Sequence, residues 1–345
     1  MTLEAPLRHL AVTLSAAALG LALTSIAGAA APAAFEELRI NQLQFIGTHN
    51  SYHIRETTQK PGAPSRGVLE WNYSHAPLDV QLDRGVRSFE LDLHYRDGAF
   101  EVFHVPLLDE GTTCRRLSDA LATVNKWSQA HPGHVPISFL FELKVEGPRL
   151  DRRIKEVDAA GLDRLDDVLC AGFPAGQRIT PDDVRGGAAT LREAVTTRGW
   201  PTLAASRGKV FFILHDEDKQ RDLYVREHPS LRGRAMFVRS NDKRDDGAVI
   251  VLDNPRAPEI PRMASAGYFI RTRADSGLRT DPPGKPSRRD AALASGAQIL
   301  STDFPAGEPQ AATGYTVEFS DSAPARVNPV NGPEALRGQV LAQER

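Results

Sequence analysis

The residues best suited to chemistry in this sequence follow a short predicted strand near its start. The strand covers residues 43–46 and runs directly into GTHNS at residues 47–51, where His49 and Asn50 stand side by side. A half-buried strand that ends in glycine and polar residues is typical of an active-site loop on a rigid scaffold. Histidine exchanges protons near neutral pH, so the loop is a candidate for acid–base chemistry. A lone histidine is more commonly structural, so the interpretation depends on later segments.

Two later predicted strands carry charged residues at alternate positions. Glu90 and Asp92 share one side of SFELDL at residues 88–93, and Glu142 and Lys144 share one side of the strand over 137–143 and the residue after it. Charged side chains that point into a protein interior are costly unless they pair or bind a metal. One interpretation is a set of internal salt bridges, for example between Lys144 and Glu90, with no catalytic part. The other is a cation site.

The oxygen donors among these residues favour a hard cation. They are the side chains of Asn50, Glu90, Asp92 and Glu142. Such a set suits Ca²⁺, or less well Mg²⁺, rather than zinc. His49 and His104 would stand beside the cation as proton-exchanging groups. The basic residues that would receive an anion such as a phosphate are Lys144, Arg239, Arg271 and Arg273. A metal, two histidines and basic residues at one mouth indicate phosphoryl-ester chemistry.

These residues need a scaffold that brings strand ends together. Short apolar runs alternate with helical stretches, and strands are predicted at residues 43–46, 88–93, 100–104, 137–143, 210–214, 235–238, 268–271 and 298–300, with 248–252 as an alternative sixth. Helices are predicted near 77–84, 116–131, 150–159, 189–196 and 287–294. Eight strands over roughly 265 residues predict an α/β fold, a single (β/α)₈ TIM barrel. The rival is an open doubly wound sheet, but no nucleotide-binding glycine motif follows the first strand.

Composition and the chain ends set the remaining expectations. The 345 residues carry a net charge of −2, which gives no basic footprint for nucleic acid. Residues 1–34 combine Arg8 with an Ala/Leu-rich run, which predicts a signal peptide and a secreted or periplasmic protein; the alternative is an uncleaved membrane anchor. The barrel would span 35–305, and 306–345 would form a C-terminal extension, packed or partly disordered. Cys114 and Cys170 are either a disulfide or two unrelated thiols.

Several short motifs resemble one known family. They are GTHNSY at 47–52, FELDLHYRDG at 89–98, FHVP at 103–106, FELK at 141–144, RTRAD at 271–275 and STDFP at 301–305. In this order and spacing they resemble the X-type barrel of phosphatidylinositol-specific phospholipase C, and most closely its secreted, Ca²⁺-dependent branch. The resemblance runs from about residue 40 to residue 305.

The resemblance implies a role for each matching residue. His49 would lie at the phosphate, His104 would protonate the leaving diacylglycerol oxygen, and Lys144 would contact phosphate or inositol. The implied calcium ligands are Asn50, Glu90, Asp92 and Glu142. In the family, the inositol 2-hydroxyl attacks phosphorus to give a cyclic inositol phosphate. The base that activates this hydroxyl is either His49 or a calcium-bound carboxylate. The later strand ends, which the motifs match less closely, add Arg239, Arg271, Arg273, Asp275 and Asp303 to the mouth.

Two further functions stay open at this point. One is a glycerophosphodiester phosphodiesterase or a sphingomyelinase-D-like barrel, which also uses two histidines and a cation but acts on other headgroups. The other is a catalytically silent barrel that binds a phosphorylated sugar or lipid. The implied partner is a phospholipid at a membrane surface; no protein partner is implied, and a monomer is expected.

Overall fold

The protein is an eight-stranded parallel barrel with additions at both ends. The structure, a computed structural model, describes residues 1, 30–56, 71–145, 147–275 and 287–342. Its strands are β1 (Leu43–Thr48), β2 (Val86–Arg96), β3 (Ala99–Val102), β4 (Ile137–Leu143), β5 (Ile154–Lys155), β6 (Val210–Leu214), β7 (Met236–Val238), β8 (Val249–Val251), β9 (Phe269–Arg273), β10 (Ile299–Thr302), β11 (Ala325–Val327) and β12 (Val340–Leu341). Its helices are α1 (Ala30–Glu36), α2 (Leu78–Asp83), α3 (Leu117–Ala130), α4 (Gly147–Leu150), α5 (Ala159–Gly172), α6 (Pro181–Arg185), α7 (Leu191–Thr197), α8 (Leu203–Ser206), α9 (Lys219–Val225), α10 (Glu259–Ser265) and α11 (Arg288–Ala294).

The barrel strands follow one another around the axis in the order β7, β6, β4, β2, β1, β10, β9, β8. All neighbours in this order are parallel, for example β2 and β4, where Asp92 is level with Glu142. The ring closes between β7 and β8, where Arg239 pairs with Val249 just past the end of β7. The predicted TIM barrel is therefore confirmed, and all eight carboxyl ends open on one mouth.

The sequence builds this barrel from strands that are apolar on both faces. Every residue of VFFIL in β6 is buried, as expected for a strand with helices outside and side chains inside. The helices use a 3.6-residue spacing instead: in α3, Leu117, Leu121 and Val124 are buried against the barrel. The charged residues of β2 and β4 are exceptions within this apolar ring, and they mark the site.

The prediction that residues 100–104 form the third barrel strand is wrong. Residues 99–102 form β3, which pairs antiparallel with the outer half of β2 through a turn at Asp97 and Gly98, both with positive φ. A two-residue turn can join only antiparallel neighbours, because a parallel pair needs a long crossover. The eighth barrel place is taken by β8, the segment that the sequence offered as an alternative sixth strand.

One predicted helix is also misplaced. The sequence predicts a helix at residues 150–159, but the structure has the short helix α4, then β5 paired with β2, and only then α5. The helix α5 starts where Asp158 accepts a hydrogen bond from the Gly161 N–H, an N-cap that the apolar spacing alone did not locate.

Within the segment after the last barrel strand, β11 and β12 pack against the opposite end from the mouth. Strand β11 pairs antiparallel with the start of β1, with Val327 level with Leu43, and β12 adds to β11. Cys114 and Cys170 are free thiols. The predicted signal peptide falls mostly on residues outside the described part. Within the described part, no helix is long and apolar enough to cross a membrane.

Candidate active site

The GTHNS loop is fixed at the mouth by both neighbouring strands. The His49 N–H donates to the Thr302 carbonyl at 2.9 Å, and the Ser51 N–H donates to the Glu90 carbonyl at 2.9 Å. The chain turns at Asn50, whose φ is 45° and whose side chain is buried. Gly47 has another role: a Cβ there would lie 2.8 Å from the Ser88 Cβ, so glycine allows β1 and β2 to approach.

His49 is held by a carboxylate from the last barrel strand. Its Nδ1 lies 2.8 Å from Asp303 Oδ1, and Asp303 Oδ2 accepts a hydrogen bond from Arg273 at 3.0 Å. The hydroxyl of Tyr73 lies 3.3 Å from the same nitrogen. Burial, assisted by the charge of Arg273, lowers the pKa of His49 well below its usual value. A neutral His49 with Nδ1–H on Asp303 directs the lone pair of Nε2 toward Glu90, 3.9 Å away.

His104 is held in the same way by a different carboxylate. Its Nδ1 lies 2.8 Å from Oδ2 of Asp109, and the ring of Trp71 meets it edge-on at 5.0 Å. Burial opposes ionisation of Asp109, but hydrogen bonds from His104 and His53 lower the pKa of this carboxyl overall. Sequence reasoning missed Asp109; the signal was the short stretch VPLLD, which bends back so that Asp109 bridges to Val105.

The carboxylates of β2 and β4 lie side by side and enclose Lys144. Lys144 Nζ is 3.0 Å from Asp92 Oδ2 and 2.8 Å from Glu142 Oε1. Burial raises the pKa of Asp92 to about 6. The predicted internal salt bridge thus exists with different partners, since Glu90 pairs instead with Arg271. Burial alone would raise the pKa of Glu90, but the charge of Arg271 holds it well below its ordinary value.

The donor atoms of the site and their positions in the structure suit a hard cation. One oxygen each of Glu90 and Glu142 and a ring nitrogen of His215 lie within 4.8 Å of one another. Asp92 Oδ1 is fully buried without a hydrogen-bond partner in the described part of the chain, which leaves an acceptor unsatisfied. Oxygen donors of this kind are the ligands that Ca²⁺ prefers. Residues able to hold it are Asn50, Glu90, Asp92 and Glu142, with His215 beside them.

The structure separates the four predicted basic residues into different environments. Lys144 lies among the carboxylates, and Arg273 bonds Asp303 and Asp275 next to His49. Arg271 is buried in the barrel between Glu90 and Asp253. Arg239 pairs with Glu217 at the edge of the mouth. Lys144 and Arg239 directly follow strand ends, whereas Arg271 and Arg273 lie within β9. Arg271 is enclosed by its carboxylates rather than open to a ligand.

Fold and site together define a barrel phosphodiesterase with paired histidines beside a cation site. The family model for Ca²⁺-dependent phosphoinositide phospholipase C matches residues 38–99 and 94–329, so the chain belongs to that family. The predictions of a phosphoinositide phospholipase C and of Ca²⁺ as its cofactor are confirmed at this level.

Solved structures agree with the fold. A calcium-dependent phosphoinositol-specific phospholipase C from Pseudomonas sp. is similar with a TM-score of 0.57 and 18% identity, covering 82% of this chain and 95% of that one. A Ca²⁺-dependent phosphatidylinositol-specific phospholipase C from Streptomyces antibioticus gives a TM-score of 0.55 and 19% identity, covering 77% and 94%. Among curated protein sequences, none matches this chain.

Proposed function

We propose that this phospholipase C cleaves phosphatidylinositol, or a related phosphoinositide, in a membrane to diacylglycerol and a cyclic inositol phosphate. The observation that carries the proposal is the pair of histidines at the mouth, each fixed through Nδ1 by its own carboxylate, with the acidic cluster at the same mouth. A base and an acid on either side of a phosphate are what an in-line displacement needs.

The two histidines divide the proton transfers. His49 is unprotonated near neutral pH, because burial and Arg273 lower its pKa, so its Nε2 can take the proton of the attacking 2-hydroxyl. Glu90 is a poorer base, since Arg271 holds it ionised and hydrogen-bonded. His104, oriented by Asp109, gives its Nε2 proton to the leaving glycerol oxygen.

The remaining charged groups of the mouth serve binding. Ca²⁺, when bound, would lower the pKa of the 2-hydroxyl and offset charge on the phosphate. Its ligands in this proposal are Asn50, Glu90, Asp92 and Glu142. Lys144 and Arg273 contact the phosphate or inositol, and Arg239 lies at the rim. Arg271 instead neutralises and orients Glu90 from beneath.

Exposed apolar residues around the mouth support a membrane substrate. Apart from Met1, the exposed large apolar side chains in the described part all lie in the connections that leave the carboxyl ends of the barrel strands β1, β2 and β4: Ile54, Leu107, Val145 and Leu150. Side chains of this kind insert favourably into a lipid surface. A mouth that faces lipid agrees with a protein that is secreted through its N-terminal segment and acts on a bilayer outside the cell.

Product analysis tests the proposal. Vesicles containing phosphatidylinositol should release water-soluble inositol phosphate with Ca²⁺, lose that activity in EDTA, and regain it with excess Ca²⁺. Glycerophosphocholine offered in parallel should not be cleaved; its cleavage would favour the glycerophosphodiesterase alternative. The His104→Ala variant is the control, and full turnover by it would favour a different acid. Activity unchanged in EDTA would refute the metal assignment.

A further inference from the structure

A second group of metal-ligand side chains lies beside the oxygen-rich site. Ring nitrogens of His53 and His104 and a carboxylate oxygen of Asp109 all lie within 4.8 Å of one another. Asp109 Oδ2 is 2.9 Å from His53 Nε2 and 2.8 Å from His104 Nδ1. In the proposed reaction His104 is the acid and Asp109 orients it, so His53 is the residue of this cluster with no role yet assigned.

The hydrogen bonds of His53 show that the cluster needs a positive charge. Nδ1 of His53 lies 3.0 Å from the Tyr73 carbonyl, which can only accept, so this nitrogen carries a proton. Nε2 then faces the Asp109 carboxylate, and within the described part of the chain the ion-pair partners of Asp109 are two histidines. A buried carboxylate between two neutral imidazoles is uncompensated. The compensating positive charge comes either from an added proton on one of the histidines or from a metal cation bound instead of that proton.

The donor set selects the kind of cation. Two imidazole nitrogens and one carboxylate are typical of Zn²⁺, whereas Ca²⁺ takes oxygen ligands. A histidine ligand usually donates its other N–H to a carbonyl or carboxylate, as His53 does to Tyr73. Ligand atoms around a tetrahedral zinc are about 3.3 Å apart, so small side-chain shifts from the present distances would admit the ion. His104 is 16% exposed and opens the cluster to the mouth.

We propose that His53, His104 and Asp109 form an inhibitory Zn²⁺ site separate from the calcium site. The ion binds through Nε2 of His53, Nδ1 of His104 and the Asp109 carboxylate, and protons shared among them leave to solvent. The inhibitory effect rests on the acid role proposed for His104. With Zn²⁺ on Nδ1 the imidazolium does not form, and the remaining Nε2–H is not released near neutral pH.

The experiment measures zinc binding and zinc inhibition separately on the full chain. With Ca²⁺ saturating, Zn²⁺ at micromolar concentration should lower phosphatidylinositol cleavage more than tenfold, and further Ca²⁺ should not reverse this. Co²⁺ used as a probe should bind one per chain and give the visible absorption of a tetrahedral N/O site. Because the spectrum needs no turnover, it tests the site even if the proposed reaction is wrong.

Two matched variants locate the effect. His53→Gln keeps a donor toward Asp109 but removes a ligand, and it should raise the Zn²⁺ concentration for half inhibition at least tenfold, relative to its own zinc-free rate. His75→Gln replaces another buried histidine, bonded to Glu308, and should leave the zinc response unchanged. The proposal would be overturned if His53→Gln and the parent were equally sensitive to zinc, or if Ca²⁺ reversed the inhibition. It would also be overturned if the Co²⁺ bands were absent, or if they appeared without inhibition by zinc.

Discussion

Asp109 offers the sharpest test at the scale of single residues, because it holds the proposed acid through one hydrogen bond to Nδ1 of His104. Asp109→Asn keeps the shape, but its amide no longer selects the tautomer that carries hydrogen on Nδ1. We expect kcat to fall about 100-fold or more, with KM and the Ca²⁺ requirement little changed. Steady-state kinetics on phosphatidylinositol vesicles checks this. Asp167→Asn, an exposed carboxylate on α5, is the control, and a loss confined to KM would contradict the orienting role.

The residues of the mouth could be predicted from the sequence where they lie on strands, because strand periodicity places them. Those that lie in loops could not. Glu90 and Asp92 could be placed from alternation, since a strand fixes the side on which each residue lies. Asp109 and Tyr73 lie in loops whose path depends on tertiary contacts, and no period in the sequence reports that path. His53 lies only four residues beyond His49, yet its partner is 56 positions away in sequence.

At the scale of elements, β11 can be tested apart from the mouth. Val327 in β11 is fully buried against the start of β1. Val327→Ala removes two carbons from a packed site and should lower the free energy of unfolding by about 2–3 kcal/mol. Denaturant unfolding measures this, and kcat at a temperature well below unfolding should not change. Val340→Ala in β12, which is only half buried, should cost clearly less. Equal losses in both variants would argue against the β1–β11 contact as the cause.

The misassigned third strand shows what a count of strands leaves out. Residues 100–104 have the composition of a strand, and they form one in part, but the turn at Asp97 and Gly98 makes that strand an antiparallel partner of β2. Composition tells strand from helix, whereas connection length decides whether a strand can enter a parallel ring. The number eight was right because β8, which the sequence offered only as an alternative sixth strand, takes the place of residues 100–104 in the barrel.

At the scale of the whole molecule, the two ends of the barrel have separate tasks. The end opposite the mouth is covered by β11 and β12 and contributes packing. The mouth concentrates buried ionisable groups, and in the absence of Ca²⁺ some of these oppose folding. Asp92 and Asp275 both have pKa values raised by burial to about 6. The stability of the molecule should therefore depend on pH through its site.

Asp275 is the carboxyl on which this pH dependence can be measured. Burial, and then the charge of Asp303, raise its pKa from 3.8 to about 6. The folded state thus favours the protonated form, so its contribution to stability is full below about pH 4 and is lost as the pH rises through about 6. Asp275→Asn stays neutral and can still accept from Thr302. Between pH 4.5 and 7.5 without Ca²⁺, the variant should lose less stability than the parent, by about 2 kcal/mol. Urea unfolding at both pH values gives the comparison, with Asp167→Asn as control; parallel pH profiles for the variant and the parent would show that Asp275 is already ionised in the folded protein.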